Sequence, residues 1–305
     1  MAEQSQNALN EIYNDLPYLD FHHEKDCGKY ALFKYEPEAK PLIKKLNAAG
    51  LKEGEDYSIL TSDELTAEKP FLNHRSADAI AVKYHNVDYG RSDLFCEGVE
   101  AGLLSKGGFI LETSSYVSDI RVSDGNIKAI NVNGAWRDEF DGYVFAAGAH
   151  TAEYFDVLGI KAPFYPLKGY SLDIPPEHLS DDMKGALKNT GTLLVSDTPN
   201  TISLAHYNGH FRISGLMDMD DWTVGATPAR EGYFRQSINQ AYPGIDIDGL
   251  DCRVGLRPAT ASGLPLIGKT RLKNAYTNTG QGAWGWTLSF GSGRELATII
   301  LKGFS

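Results

Sequence analysis

No apolar run in this chain is long enough to cross a bilayer as a helix, and the opening "MAEQSQNALNEIYNDLPYLD" has neither the basic nor the apolar part of a secretory signal. Those two absences predict a cytoplasmic protein. Cysteine is scarce: Cys27, Cys96 and Cys252 are far apart, odd in number and without metal-ligand spacing, so they read as structural thiols rather than a disulfide framework or a metal site. Positive charge is also short. Against 40 Asp and Glu stand 29 Lys and Arg, a net charge of -11, with no basic cluster of the kind that neutralises phosphates. The balance argues against a nucleic-acid partner but not against an anionic small molecule, which responds to local charge. Internal repeats and low-complexity segments are absent too.

What is present is a globular composition, 42% hydrophobic and 23% charged, in a chain of 305 residues that exceeds one ordinary core. The patterning predicts a first helix, then a hairpin from "YLDFHHEKD" and "GKYALFKYE" turning at Asp26 to Gly28. Helices are expected at "PEAKPLIKKLNAAG", at "TSDELTAEKP" with Thr61 or Ser62 as cap, and at "SDLFCEGVEAGLLSKG". A strand meander runs from "GFILETSSYV" to "YVFAAG", the latter a continuous apolar strand of the buried parallel kind. A second β-rich stretch holds "YPLKGYSLDI", "TLLVSD" and "TISLAHYNGHFRISGLMD", with a hairpin at Asn208-Gly209. Helix "AREGYFRQSINQAYP", strand "NAYTNTG" and a last helix close the chain. Two kinds of sheet are thus interleaved, which predicts two lobes, each built from non-consecutive pieces.

Two stretches carry chemistry. In "NTGQGAWGWTLSFGSG", bare backbone at Gly280, Gly282 and Gly285 lies directly before a helix, where free N–H groups favour an anion or an electron-rich ring. Tight packing of the helix, with Trp284 and Trp286 as packing residues, is the competing explanation. In "RVGLRPATASGLPLIG", Arg257 precedes a proline, so its backbone is extended and its planar fork suits a carboxylate. A surface ion pair with one of the many acids would serve equally.

The blocks "YVFAAGAHTAEYFDVLGIKAPFYPLKGYSLDIP" and "RVGLRPATASGLPLIGKTRLKNAYTNTGQGAWGWTLSFGSG", with the spacing between them, resemble the D-amino acid dehydrogenase branch of the FAD-dependent D-amino acid oxidase superfamily. The likeness runs from near residue 1 to the end. It implies an α/β plus α+β fold: an incomplete FAD-binding, Rossmann-like domain (109-151 and 251-305) interleaved with a mixed or antiparallel-sheet substrate domain (mainly 1-108 and 152-250). It also implies a flavoprotein with FAD as cofactor, oxidising the amine of a D-amino acid or related amine to a 2-oxo acid and ammonia.

Position by position, the resemblance makes Arg257 the anchor of the substrate carboxylate and puts Tyr170, His206 and Tyr207 on the walls of the substrate pocket. A half-buried tyrosine on an antiparallel sheet is the plain alternative for Tyr170. Cofactor contacts fall to Val117 near the adenine, to Ala146, Ala147 and Gly148 at a strand end, and to Gly280, Gln281, Gly282 and Ala283 at the flavin pyrimidine edge. His150 is expected to pack or face solvent, and Lys168 to be solvated. No catalytic base and no metal is implied. Family members open on a βαβ unit whose G-x-G-x-x-G holds the FAD pyrophosphate, with an acid for the ribose; here the first helix matches a segment well inside them. The expectation is a fragment of a longer gene, a split enzyme whose partner chain supplies that unit, or a flavin-free amino-acid-binding protein, with weak FAD binding by the chain alone. An acceptor such as a membrane quinone, reached by peripheral contact, is implied by the dehydrogenase likeness alone.

Overall fold

The computed structural model describes residues 2–16, 19–73, 75–219 and 221–304. Its largest element is an eight-stranded sheet in the order β12 (Arg253–Thr260), β8 (Phe164–Ile174), β11 (His210–Met219), β10 (Ile202–Tyr207), β9 (Leu193–Asp197), β1 (Lys29–Phe33), β3 (Ile80–Tyr84) and β2 (Tyr57–Thr61). Only β1 and β9 run parallel; all other neighbours are antiparallel. The β10–β11 hairpin turns at Asn208 and Gly209, both at positive φ, as that dipeptide requires. A three-stranded sheet, β13 (Leu266–Lys269), β14 (Ala275–Thr279) and β7 (Tyr143–Phe145), pairs β14 with β7 in parallel. Another is made of β4 (Val117–Ser123), β5 (Asn126–Val132) and β6 (Ala135–Arg137). This mixed α/β and α+β arrangement is the expected fold class.

Eight helices are described: α1 (Ala2–Asp15), α2 (Glu36–Ala48), α3 (Ser62–Glu68), α4 (Ser92–Lys106), α5 (Phe155–Leu158), α6 (Asp181–Thr190), α7 (Pro228–Ala241) and α8 (Gly285–Phe304). One face of the large sheet is closed by α6 and α7, where Tyr170, Leu172, Ile174, Leu204, Phe211, Phe234 and Ile238 form the main core. The two small sheets meet in a separate core around Ile127, Tyr143, Leu158 and Ala275. Asn274 fastens them, its amide accepting from the Ile127 N–H at 2.9 Å and donating to the Ile127 carbonyl at 3.0 Å. Helices α1, α4 and α8 share a third cluster in which Phe21, Phe95, Trp286 and Phe290 pack edge to face.

Helix α3 starts with a reciprocal capping box: the Thr61 hydroxyl accepts from the Glu64 N–H, and the Glu64 carboxylate accepts from the Thr61 N–H. Thr61→Ala is expected to lower stability by about 1 kcal/mol. The check is urea denaturation, in which the midpoint falls and the slope stays the same.

Several expected elements differ. Of the expected first hairpin strand, residue 18 lies outside the described residues and 19–26 form no strand; Glu24 makes a single bridge to Tyr89, and β1 takes its neighbours from β3 and β9. Period-two patterning marks an extended segment but not its partner. Residues 109–112 are not a strand either, and Ile110 is 82% exposed. β7 is an edge strand with Val144 half exposed, not a strand buried on both faces. Strand β12 joins the large sheet through β8, although it lies within the 251-305 segment expected beside β14.

Candidate active site

Register assigns the side chains of the large sheet to two faces. In β8, Tyr170, Leu172 and Ile174 point to the helix-covered core, so Gly169, Ser171 and Asp173 point to the opposite, open face. Cross-strand pairs share a face, so Arg257, Gly255 and Arg253 of β12 follow Leu167, Gly169 and Ser171 to the open side. Arg212 of β11, paired with Asp173, does the same.

The Arg257 side chain leans along β12 so that its guanidinium lies on the backbone of Gly169. A Cβ at Gly169 would collide with Nη1, Nη2 and Cζ of Arg257. One donor is used internally: Nη1 donates to the Leu216 carbonyl at 3.1 Å. That carbonyl is available because a bulge between Gly215 and Asp218 breaks the β11–β8 ladder, with Leu216 at φ 57°. Burial lowers the Arg257 pKa, and no carboxylate pairs with it among the described residues. An arginine remains charged under such a shift, so the site holds a partly buried cation with most of its fork unused by the protein.

The glycine turn is assembled at the carboxyl ends of the parallel strands β7 and β14, the place where open α/β sheets bind ligands. The Thr279 hydroxyl donates to the Gly148 carbonyl at 2.7 Å, tying the two strand ends together. Gly280 (φ 84°) fits tightly, since a Cβ there would be 2.9 Å from Thr260 Cγ2. By contrast, Gly148 (φ 57°) and Gly282 (φ 56°) would each direct a Cβ into open space. Ala146, Ala147 and Ala283 are exposed around them. A bridge between Ala259 and Gln281 joins this turn to β12, two residues beyond Arg257. Strand β12 therefore puts the backbone of Arg257 two residues from the glycine turn, while its guanidinium leans the other way along the strand, over Gly169. Gly280, Gly282 and Gly285 also have the G-x-G-x-x-G spacing after a strand and before a helix, a regularity that reading the segment only as bare backbone overlooks.

The other expected residues are dispersed. Val117 is at the start of β4, its carbonyl accepting from the Tyr154 hydroxyl at 2.9 Å. Tyr207 is on the open face, stacked on Tyr89 at 5.2 Å. Tyr170 and His206 point to the other face, Tyr170 into the core and His206, half-buried, beside Phe211, so the structure does not bring them to Arg257. Tyr170 packs on Phe234, and burial with the Asp218 carboxylate beside it pushes its phenol up. His206 Nδ1 is 3.1 Å from the Gly191 carbonyl, and burial lowers the ring pKa. Lys168, expected to be solvated, is 1% exposed and ion-paired with Asp221, because the segment after β11 folds over the end of β8. That lysine holds the Asp221 carboxyl at about 2. His150 faces solvent beside Glu153, as expected.

A cavity of about 930 Å³ opens on the same side of the sheet, lined by Ala31, Ser196, Tyr89, Trp284 and Trp286 among others. Trp286 is held in the aromatic cluster, whereas Trp284 is 64% exposed. His206 and Tyr207 border a second cavity of about 690 Å³ at the α6 end of the β10–β11 hairpin. The sequence reading missed Arg212, Asp173, Arg253 and Tyr89. A signal existed: in "HFRIS" the polar His210, Arg212 and Ser214 alternate with Phe211 and Ile213, marking a polar strand face.

The space beyond Gly148 and Gly282 is open and bounded by exposed small residues and the start of α8. Residues 146–148 and 280–283 would hold a flavin ring against backbone N–H groups. Comparison with known proteins bears on the fold and the family. Solved structures with the same fold include glycine oxidase from Bacillus cereus ATCC 14579 (TM-score 0.78, 19% identity, covering 98% of this chain and 80% of that one). Iminodiacetate oxidase from Chelativorans sp. BNC1 gives TM-score 0.77 at 19% identity over 98% of this chain and 79% of its own. L-proline dehydrogenase from P. horikoshii gives 0.75 at 17% over 98% and 78%. Residues 1–299 match the family described as FAD dependent oxidoreductase, and with nearly its whole length matched the chain belongs to that FAD-dependent family.

Proposed function

We propose that the protein oxidises an amine adjacent to a carboxylate, with a D-amino acid as the substrate, giving a 2-oxo acid and ammonia. The observation that carries this reading is Arg257: a charged fork on an open sheet face, without a carboxylate partner among the described residues, on the strand that bridges to the glycine turn two residues further on. Bound there, a carboxylate completes a charge-assisted pair and fixes the position of Cα. FAD, when bound, supplies the two-electron acceptor. The chain's own work is orientation: Arg257 holds the carboxylate, Gly169 lets the guanidinium lie close to the strand, and the backbone of residues 280–282 meets the developing negative charge. A substrate amine in its neutral form needs no protein base; it loses hydride from Cα and a proton from nitrogen, and water then releases ammonia from the imino acid.

The D configuration rests on the likeness of the two sequence blocks to D-amino acid dehydrogenases. Glycine, iminodiacetate and proline, named for the structural relatives, share the amine beside a carboxylate and are the competing substrates. The test is 2-oxo acid formation by the full chain supplied with FAD and an artificial electron acceptor, over D- and L-amino acids and matched amines without a carboxyl group. Oxidation of the carboxylates alone is expected. Equal turnover of carboxyl-free amines would overturn the reading.

One feature supports a partner-completed site. Among the described residues β7 has a strand neighbour on one side only, with Val144 half exposed, and such edges accept a further strand. On this reading, adding a polypeptide with a strand–G-x-G-x-x-G–helix unit raises FAD affinity over that of the chain alone; no change would count against it.

A further inference from the structure

We propose that the substrate carries a second carboxylate, received by Arg212, so that the amino acid oxidised here is an amino dicarboxylic acid of the aspartate or glutamate type. The inference rests on Arg257 as anchor of the first carboxylate. Arg257 and Arg212 share the open face of the sheet, on the two strands flanking β8. The Arg257 guanidinium lies over Gly169, and Arg212 Nη2 donates to the Ser171 hydroxyl at 2.9 Å. Gly169 and Ser171 are consecutive same-face positions of one strand, about 7 Å apart. The two guanidinium groups are therefore set at neighbouring positions, suited to the two ends of a short dicarboxylate.

Charge balance points the same way. Asp173 is the acid paired with Arg212, but its Oδ2 is bound more closely by Arg253 Nη1, at 2.8 Å, than its Oδ1 is by Arg212 Nη1, at 3.8 Å, a separation beyond a hydrogen bond. His210 Nε2 is also 3.5 Å from Asp173 Oδ1. Two arginines share one carboxylate, which leaves a positive charge on this face of a protein whose net charge is -11. Arg91 adds none, because Asp93 matches it through Nε at 3.1 Å and through Nη2. Tyr89, whose phenol lies within electrostatic reach of Arg91 and Arg212, lines the 930 Å³ cavity on this side of the sheet, although neither arginine is among its lining residues.

The test is calorimetric titration of the FAD-supplied full chain with succinate and butyrate, a pair equal in carbon number that differs in one carboxylate. Succinate is expected to bind about tenfold more tightly, a difference of about 1.4 kcal/mol. Arg212→Gln should remove that preference and leave butyrate affinity unchanged, which also shows that the variant is folded. Arg257→Lys should weaken both ligands. A succinate affinity no better than that of butyrate, or a preference that survives Arg212→Gln, overturns the dicarboxylate proposal while Arg257 keeps its role. Failure of both ligands to bind overturns the two together.

Discussion

Gly169→Ala is expected to reduce kcat/KM for the amino-acid substrate by roughly 10- to 150-fold, while the protein remains folded. The added methyl would occupy the space in which the Arg257 guanidinium lies, so the arginine must swing away from β8 and abandon the Leu216 carbonyl. The loss of one well-placed charge-assisted pair, about 1.5–3 kcal/mol, sets the range. Little stability is at risk, because the clash is with the far end of a flexible side chain. Gly169 does not have a positive φ, and alanine lowers the unfolded chain's entropy by about 0.4–1 kcal/mol. The measurement is steady-state kinetics of the FAD-supplied chain beside a thermal melt. Unchanged kinetics with an unchanged melting temperature would show that the Arg257 position does not matter to turnover.

Arg257→Lys keeps the charge and loses the fork. A lysine ammonium is a point donor and cannot meet both oxygens of a carboxylate in parallel, so substrate binding should weaken by about 1.5–3 kcal/mol. The loss should appear in kcat/KM with carboxylate substrates and be absent for any amine lacking a carboxyl group that the enzyme turns over. No internal acid stands ready to pair with the new lysine, since none pairs with the arginine among the described residues. An unaltered kcat/KM would remove Arg257 from the binding site.

Local chemistry was legible where one residue type has one structural use. Asn208-Gly209 gave its hairpin, Thr61 its cap, and the residue before Pro258 its extended backbone. The strands of "YVFAAG" and "NAYTNTG" share a sheet, as their apolar character and glycine endings suggested. What stayed hidden was partnership. The pattern of "GKYALFKYE" marks a strand but cannot say that β3 and β9, not the preceding residues, lie beside it. Which side of β8 is open is decided by α6 and α7 packing on Tyr170, Leu172 and Ile174, and that cannot be counted from one strand. Hence Tyr170 and His206, plausible by residue type, lie on the buried face. Lys168 is similar: its burial depends on Asp221, 53 residues away.

The central claim is that a substrate carboxylate sits on Arg257 beside the glycine turn, and a crystal structure of the FAD-supplied chain with a bound D-amino acid or its unreactive 2-hydroxy analogue tests it most directly. The account predicts both guanidinium termini within about 2.7–2.9 Å of the carboxylate oxygens. It also predicts Cα of the ligand on the side facing residues 280–282. A ligand carboxylate held in the cavity bordered by His206 and α6, with Arg257 still engaged only with Leu216, would contradict it.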